Sequence, residues 1–229
     1  MSTIVLVRHG QASFDAEDYD QLSELGIEQA RRTGQALGGR VPGLEAVYVG
    51  TLRRQQQTAE HCLAALGGAP QPVALPGLDE FDHREILLRY EPRYAERTAL
   101  VADLVSTGDP RRAFQELFSA ALARWTCGAH DAEYGLPWPG FQRRSLAALE
   151  QVASALGRSR TALVFSSAGP ITAICQGLLG LTDDAAGRLA GAQVNCGISK
   201  VIRSERGLML SSFNDHAHLE GEARLISYR

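Results

Sequence analysis

Short β-branched apolar runs recur along this chain, and each leads into a longer segment with helical spacing. Thr3 to Val7, Glu45 to Val49 and Thr161 to Phe165 read as buried strands. Helices are predicted over 22–38, over about 52–66 and from Ile171 to Leu179. In the first of these Leu22, Leu25, Gln29, Ala30 and Leu37 fall at roughly helical spacing, and Ser23 before Glu24 supplies a cap. Strand–helix alternation of this kind predicts an α/β fold, a three-layer α/β/α sandwich with a mostly parallel central sheet. Ile198 to Arg203 and Leu208 to Phe213, separated by Glu205-Arg206-Gly207, add a hairpin or two neighbouring strands near the end.

The stretch from about 84 to 158 breaks the alternation and reads as mostly helical: Ala95 to Val105, Arg112 to Trp125 and Phe141 to Leu156. Turn-rich punctuation at 107–110 and 134–140 separates these pieces. It is expected to be a helical cap insertion in a single domain of residues 1–229, lying over the functional edge of the sheet. No internal repeat or low-complexity segment is visible.

A chain of 229 residues is long enough for one well-buried domain, and 45% hydrophobic with 21% charged residues excludes disorder. The net charge of −3 gives no global attraction to nucleic acid or an anionic membrane, so anion binding must come from a local cluster. Lys200 is the sole lysine; arginines supply the remaining basic residues. Clustered arginines suit bidentate contacts with oxyanions, although a compositional bias of the genome gives the same count. No signal-peptide pattern and no run of about 20 apolar residues is present, which points to a cytoplasmic protein. Cys62, Cys127, Cys175 and Cys196 are scattered without a C-x-x-C pair, as expected of buried free thiols in a reducing compartment rather than a metal site.

Arg8-His9-Gly10 ends the first strand, where open α/β sheets place ligands. A neutral imidazole can attack phosphorus if one ring nitrogen is held by an acceptor and the other is free, while the adjacent arginine neutralises charge. Gly10 permits a close backbone approach to a ligand. Taken alone, the tripeptide fits a solvent-exposed loop equally well. Arg53 and Arg54 fall in the first turn of a predicted helix, where the dipole disfavours cations unless an anion is nearby. Arg53 also fits a solvated basic face. Leu78-Asp79-Glu80-Phe81-Asp82-His83 gathers three carboxylates and an imidazole, either a source of a general acid or a solvated acidic turn. Ser166-Ser167-Ala168-Gly169-Pro170 is a small-residue turn at a helix start, suited to phosphate.

Together these stretches resemble the histidine phosphatase superfamily, also called phosphoglycerate-mutase-like. The resemblance rests on Leu6 to Ser13, Leu22 to Gly26 with Gln29-Ala30, Leu52 to Glu60, Glu80 and its surroundings, Phe165 to Ile171, and Phe213 to Leu219. It leaves out most of 84–158. It implies a phosphatase in which His9 becomes a phosphohistidine, Arg8 and Arg54 clamp the phosphoryl oxygens, and Glu80 acts as acid and then base. Ser167 and Ala168 fall at phosphate-contacting positions, and no metal or organic cofactor is implied. A small phosphorylated substrate or a phosphoprotein would be the partner.

Two positions depart from the family pattern. Members carry a second histidine where this chain has Ser167, which offers one neutral hydrogen bond and no charge. Losing a charged transition-state donor typically costs about 10²–10³ in rate. Many members also place a phosphate-contacting asparagine where this chain has Asp15, which would repel phosphate if it faced the site and matters little if it faces solvent. Either another group compensates for the histidine, with His216 and His83 as candidates, or the chain is a weakened or inactive phosphate-ester binding protein. Both histidines also fit surface or supporting positions. A phosphoglycerate mutase would need further basic residues after the acid, and Arg84 to Glu91 has mixed charge and a helical look. Trp138, Phe141, Arg143 and Arg144 would line the site under a cap, or pack and solvate a helix. An edge strand near the C-terminus would offer a homodimer surface.

Overall fold

The computed structural model describes residues 1–13 and 20–228. Asp15 lies outside the described residues. The first elements are β1 (Ser2–Arg8), α1 (Glu24–Leu37), β2 (Leu44–Val49), α2 (Arg53–Leu66) and β3 (Pro72–Ala74). Then come α3 (His83–Tyr90), α4 (Arg97–Ser106), α5 (Pro110–Thr126) and α6 (Trp138–Ala155). The chain returns to the sheet through β4 (Thr161–Ser166), α7 (Ala168–Leu179), α8 (Asp183–Gly191), β5 (Ile198–Ser204) and β6 (Gly207–Asp215).

The sheet has the order β3-β2-β4-β1-β5-β6. β3, β2, β4 and β1 pair in parallel, and β5 pairs antiparallel with both β1 and β6. The mostly parallel sandwich expected from the sequence is therefore present. Its central strands show why. Successive side chains of a strand point to opposite faces, and Ile4 and Leu6 join Ala162 and Val164 in a core completed by Leu149, Val152, Ile171 and Ile174. Val5 and Val7 join Leu163 and Phe165 on the other face, against Leu37, Ala59 and Cys62. So α6 and α7 cover one face, and α1 and α2 the other. Phe165 is fully buried; burying a side chain of that size contributes about 1.5–3 kcal/mol.

The chain forms two compact units, Met1–Glu80 with Arg144–Arg229, and Phe81–Arg143. The expected helical insertion ran to 158. The C-terminal half of α6 belongs instead to the sheet unit, because Ala148, Leu149, Val152 and Ala153 face the core built on Ile4 and Leu6. Within the second unit Trp125, Trp138 and Phe141 pack ring on ring and are buried. Trp138 and Phe141 are thus core residues of that unit, and Arg143 is exposed.

Two differences from the sequence reading have simple causes. α7 begins at Ala168, three residues before Ile171, since the first turn of a helix tolerates the missing N–H of Pro170. β3 went unpredicted because its three residues are all exposed and carry no apolar pattern.

Just after β1 the chain meets α1 backbone to backbone at Gly10, Gln11 and Gly26. A Cβ on Gly26 would lie 2.2 Å from the Gln11 carbonyl oxygen, and one on Gly10 would lie 2.5 Å from that of Gly26. Gly26→Ala is expected to cost about 1–3 kcal/mol by overpacking, or roughly 2–4 °C of Tm per kcal/mol in a chain of this size. A Cβ on Gly187 in α8 would meet nothing, so Gly187→Ala should be neutral or stabilising. Thermal denaturation followed by circular dichroism compares the two; equal losses would contradict this packing account.

Candidate active site

His9 follows β1, and its N–H donates to the carbonyl of Ser166 on β4 at 2.9 Å. Its own carbonyl accepts from Asn195 Nδ2 at 3.1 Å and from the Cys196 N–H at 3.3 Å. The side chain is buried. Nδ1 lies 2.7 Å from the Gly10 carbonyl oxygen, and Nε2 lies 3.2 Å from Arg54 Nε. A carbonyl only accepts and a guanidinium N–H only donates. The ring is therefore the neutral tautomer with hydrogen on Nδ1 and a lone pair on Nε2. The loop that holds it is itself tied down: the Gly10 N–H donates to Thr58 Oγ1 at 3.0 Å, and the Gln11 N–H to Gln29 Oε1 at 2.9 Å.

Arg54 is buried while Arg53 beside it is exposed. The anion that an arginine-bearing helix start requires is Asp20. One of its oxygens accepts from Arg54 Nη1 at 2.6 Å, and the other from the Arg53 N–H at 2.8 Å. Asp20 thereby serves the N-terminus of α2, whose preceding residue, Leu52, has no acceptor side chain. Arg54 is left bridging a carboxylate and the imidazole lone pair.

Beside β1, the end of β4 carries Ser166 and Ser167, both fully buried. Ser166 Oγ donates to the Leu78 carbonyl at 2.8 Å. Ser167 Oγ accepts from Gln55 Nε2 at 2.8 Å, and the same amide nitrogen donates to the Leu78 carbonyl at 3.0 Å. Ala168 opens α7 and Gly169 follows; the Gly169 N–H donates to Glu80 Oε2 at 3.1 Å. The helix start that the sequence reading offers to phosphate thus holds the candidate acid through its second N–H.

The acidic loop separates into distinct roles. Asp79 accepts from Thr51 N–H and hydroxyl, and Asp82 caps α3 through the N–H groups of Arg84 and Glu85. Arg144 donates to the Asp79 carbonyl and lies near both Asp79 and Glu80, whose charges oppose the downward pull of burial on its pKa.

The sequence profile of the histidine phosphatase superfamily (branch 1) matches residues 4–97 and 105–216. The chain belongs to the histidine phosphatase superfamily. It is 30% identical over 90 residues to the 2,3-bisphosphoglycerate-dependent phosphoglycerate mutase of Methylorubrum extorquens (strain PA1), covering 36% of this chain and 42% of that protein. The mutase of Rhizobium meliloti (strain 1021) is 31% identical over 91 residues, 37% of this chain and 43% of its own length. The match therefore spans less than half the length of these relatives. Among solved structures, Entamoeba histolytica phosphoserine phosphatase with 3-phosphoglyceric acid superposes with a TM-score of 0.66 at 19% identity, covering 96% of this chain and all of that one (100%). The mycobacterial glucosyl-3-phosphoglycerate phosphatase complexed with VO3 gives 0.61 at 20% identity, covering 93% and 99%. At such identities these two establish the fold.

Against the family pattern, several expected residues are placed as follows. Arg8 is buried, and its terminal nitrogens donate to the carbonyls of Gln193 and, at 3.0 Å, Tyr228. His216 faces the Asn214 carbonyl through Nδ1 at 2.6 Å and Glu220 through Nε2 at 3.5 Å. His83 packs between Phe81 and Phe118, with ring centroids 4.6 and 5.5 Å away. Three cysteines are buried with thiol pKa values pushed up chiefly by desolvation, whereas Cys127, expected to be buried, is exposed at the end of α5. Among the described residues no cluster of His, Cys, Asp and Glu is arranged to hold a metal ion, and no helix is long and apolar enough to cross a membrane.

Sequence reasoning missed Asp20, Gln55 and Asn195. A signal existed for Gln55, which shares the buried stripe of α2 with Thr58, Ala59 and Cys62 and so must satisfy a buried amide. Asp20 and Asn195 reach the site from distant or irregular segments that no periodicity marks.

His218 has a pKa lowered from 6.5 to about 4, chiefly by burial, with Asp215 opposing the shift. Nε2 sits 3.0 Å from Thr33 Oγ1, whose hydroxyl donates to the Gln29 carbonyl. Folding thus favours neutral His218, and its contribution is intact above pH about 6.5 and lost as the pH falls toward 4. His218→Gln, which keeps a donor for Thr33, should flatten the drop in urea midpoint between pH 7 and pH 4.5; an unchanged slope would contradict the assignment.

Proposed function

We propose that this chain is a phosphatase that hydrolyses a phosphate monoester through a phosphohistidine on His9. The observation that carries this reading is the His9 Nε2 lone pair, 3.2 Å from Arg54 Nε and fixed by the 2.7 Å bond on the opposite side of the ring. An approaching phosphoryl group would take over the Arg54 Nε–H and expose Nε2 to phosphorus. The Nε2–P bond forms as the ester P–O bond breaks, and Glu80 gives its proton to the leaving oxygen. Water then attacks phosphorus, Glu80 takes its proton, and the N–P bond breaks to release phosphate. Charge on the phosphoryl oxygens falls to Arg54, with the Ser167 hydroxyl and the Ala168 N–H as neutral donors. Arg8 would join them by exchanging a carbonyl partner for phosphate. A small phosphorylated molecule or a phosphoprotein as substrate, a cytoplasmic setting and pairing of two copies through β6 belong to the same proposal.

A second reading, a phosphate-ester binding protein without turnover, is favoured by the engagement of Arg8 with main-chain carbonyls. The partial likeness to phosphoglycerate mutases favours a mutase more weakly, because Arg84 to Tyr90 has a single helix with mixed charge.

Steady-state hydrolysis of 4-nitrophenyl phosphate and of an alkyl phosphate separates these. Turnover should vanish in His9→Ala. Glu80→Gln should lose about 10²–10⁴ on the alkyl ester, whose leaving group needs a proton, and much less on the aryl ester. Phosphate binding with no turnover would establish the binding protein. Turnover surviving in His9→Ala would remove His9 as nucleophile.

A further inference from the structure

We infer that Gln55 is a positioning residue that makes the Ser167 hydroxyl a dedicated hydrogen-bond donor to the phosphoryl group. The inference rests on the phosphatase reading above and names how one of its donors is oriented.

The orientation of the Gln55 side chain is fixed by its partners. Oε1 faces the Leu52 N–H at 3.3 Å, which can only donate, and Nε2 faces the Leu78 carbonyl at 3.0 Å, which can only accept. A flipped amide would set oxygen against oxygen and lose both bonds. Ser167 Oγ, 2.8 Å from Nε2, therefore meets a donor and must use a lone pair to receive it. Its hydroxyl hydrogen is thereby turned away from Gln55.

That hydrogen has a limited choice of destinations. Ser167 stands at the N-cap of α7, where a serine oxygen ordinarily accepts from an N–H of the first turn. No such cap bond is formed, and the Gly169 N–H goes to Glu80. Among the described residues no acceptor takes the Ser167 proton, although the residue is fully buried. Ser166 next to it differs, since its hydroxyl donates to the Leu78 carbonyl and its own carbonyl holds the His9 N–H. A buried hydroxyl that neither caps nor donates is expensive to keep unless an acceptor arrives. The residue is one step along the chain from the group that fixes His9, and an oxyanion on His9 supplies that acceptor.

A double-mutant cycle of Ser167→Ala and Gln55→Met tests this, reading kcat and KM for 4-nitrophenyl phosphate, orthovanadate affinity and Tm. Methionine keeps the volume of glutamine and removes the donor. Ser167→Ala should lower kcat by about 10²–10³, as loss of one transition-state donor does, with KM little changed. Gln55→Met should lose a similar factor, and the double variant no more than Ser167→Ala alone. Gln55→Glu keeps the acceptor for Leu52 but presents an acceptor to Ser167, turning the hydroxyl inward, and should also lose kcat. Additive losses, or an unchanged kcat in Ser167→Ala, would overturn the proposal. So would a Gln55 variant that lowers Tm alone. If the parent protein hydrolyses nothing, the phosphatase reading fails, and coupled losses of vanadate affinity still decide the role of Gln55.

Discussion

The bond from His9 Nδ1 to the carbonyl of Gly10, at 2.7 Å, determines what the rest of this site can do. Imidazole free in water exchanges its proton between the two nitrogens. Facing a carbonyl, it must keep hydrogen on Nδ1, and the lone pair is then confined to Nε2. That constraint is only as good as the position of the Gly10 carbonyl, which depends on Thr58 receiving the Gly10 N–H and on the backbone contact between Gly10 and Gly26. Neither glycine leaves room for a side chain. The protonation state of a histidine at the end of β1 is therefore set by how closely the following loop lies on α1.

Charge is handled just as locally. A buried guanidinium must be paired, because desolvation costs several kcal/mol per ion. Arg54 meets this with Asp20 on Nη1 and His9 on Nε, so the carboxylate orients the fork while leaving its inner edge toward the imidazole. A phosphate dianion would displace only the weaker of these two partners, the neutral imidazole. The same economy holds at α7, where the second N–H holds Glu80 near the start of the helix. A net charge of −3 over the chain leaves room for a local positive group, and Arg54 lies 3.2 Å from the imidazole that follows β1.

Much of this was legible in the sequence. Residues 3–7 and 161–165 were read as buried strands, as β1 and β4 are, and Ser23 caps α1 as predicted. The need for an anion near Arg53 and Arg54 was legible too. Its identity was not, since Asp20 comes from a segment with no periodic signal. Ser167 was legible as an oddity, but its link to Gln55 spans 112 residues and depends on the β2–β4 register, which no local pattern encodes. The second unit was read as helical, yet its end inside α6 follows from packing at Ala148 and Leu149 rather than from any break in the helical pattern.

The central claim is that His9 presents Nε2, and not Nδ1, to phosphorus. Rapid quenching during turnover of a phosphate monoester, followed by mass spectrometry and ³¹P resonance of the His9 peptide, identifies the phosphorylated nitrogen directly. The account predicts an acid-labile phosphoryl group on Nε2 of His9. A phosphoryl group on Nδ1, or on any residue other than His9, would contradict it.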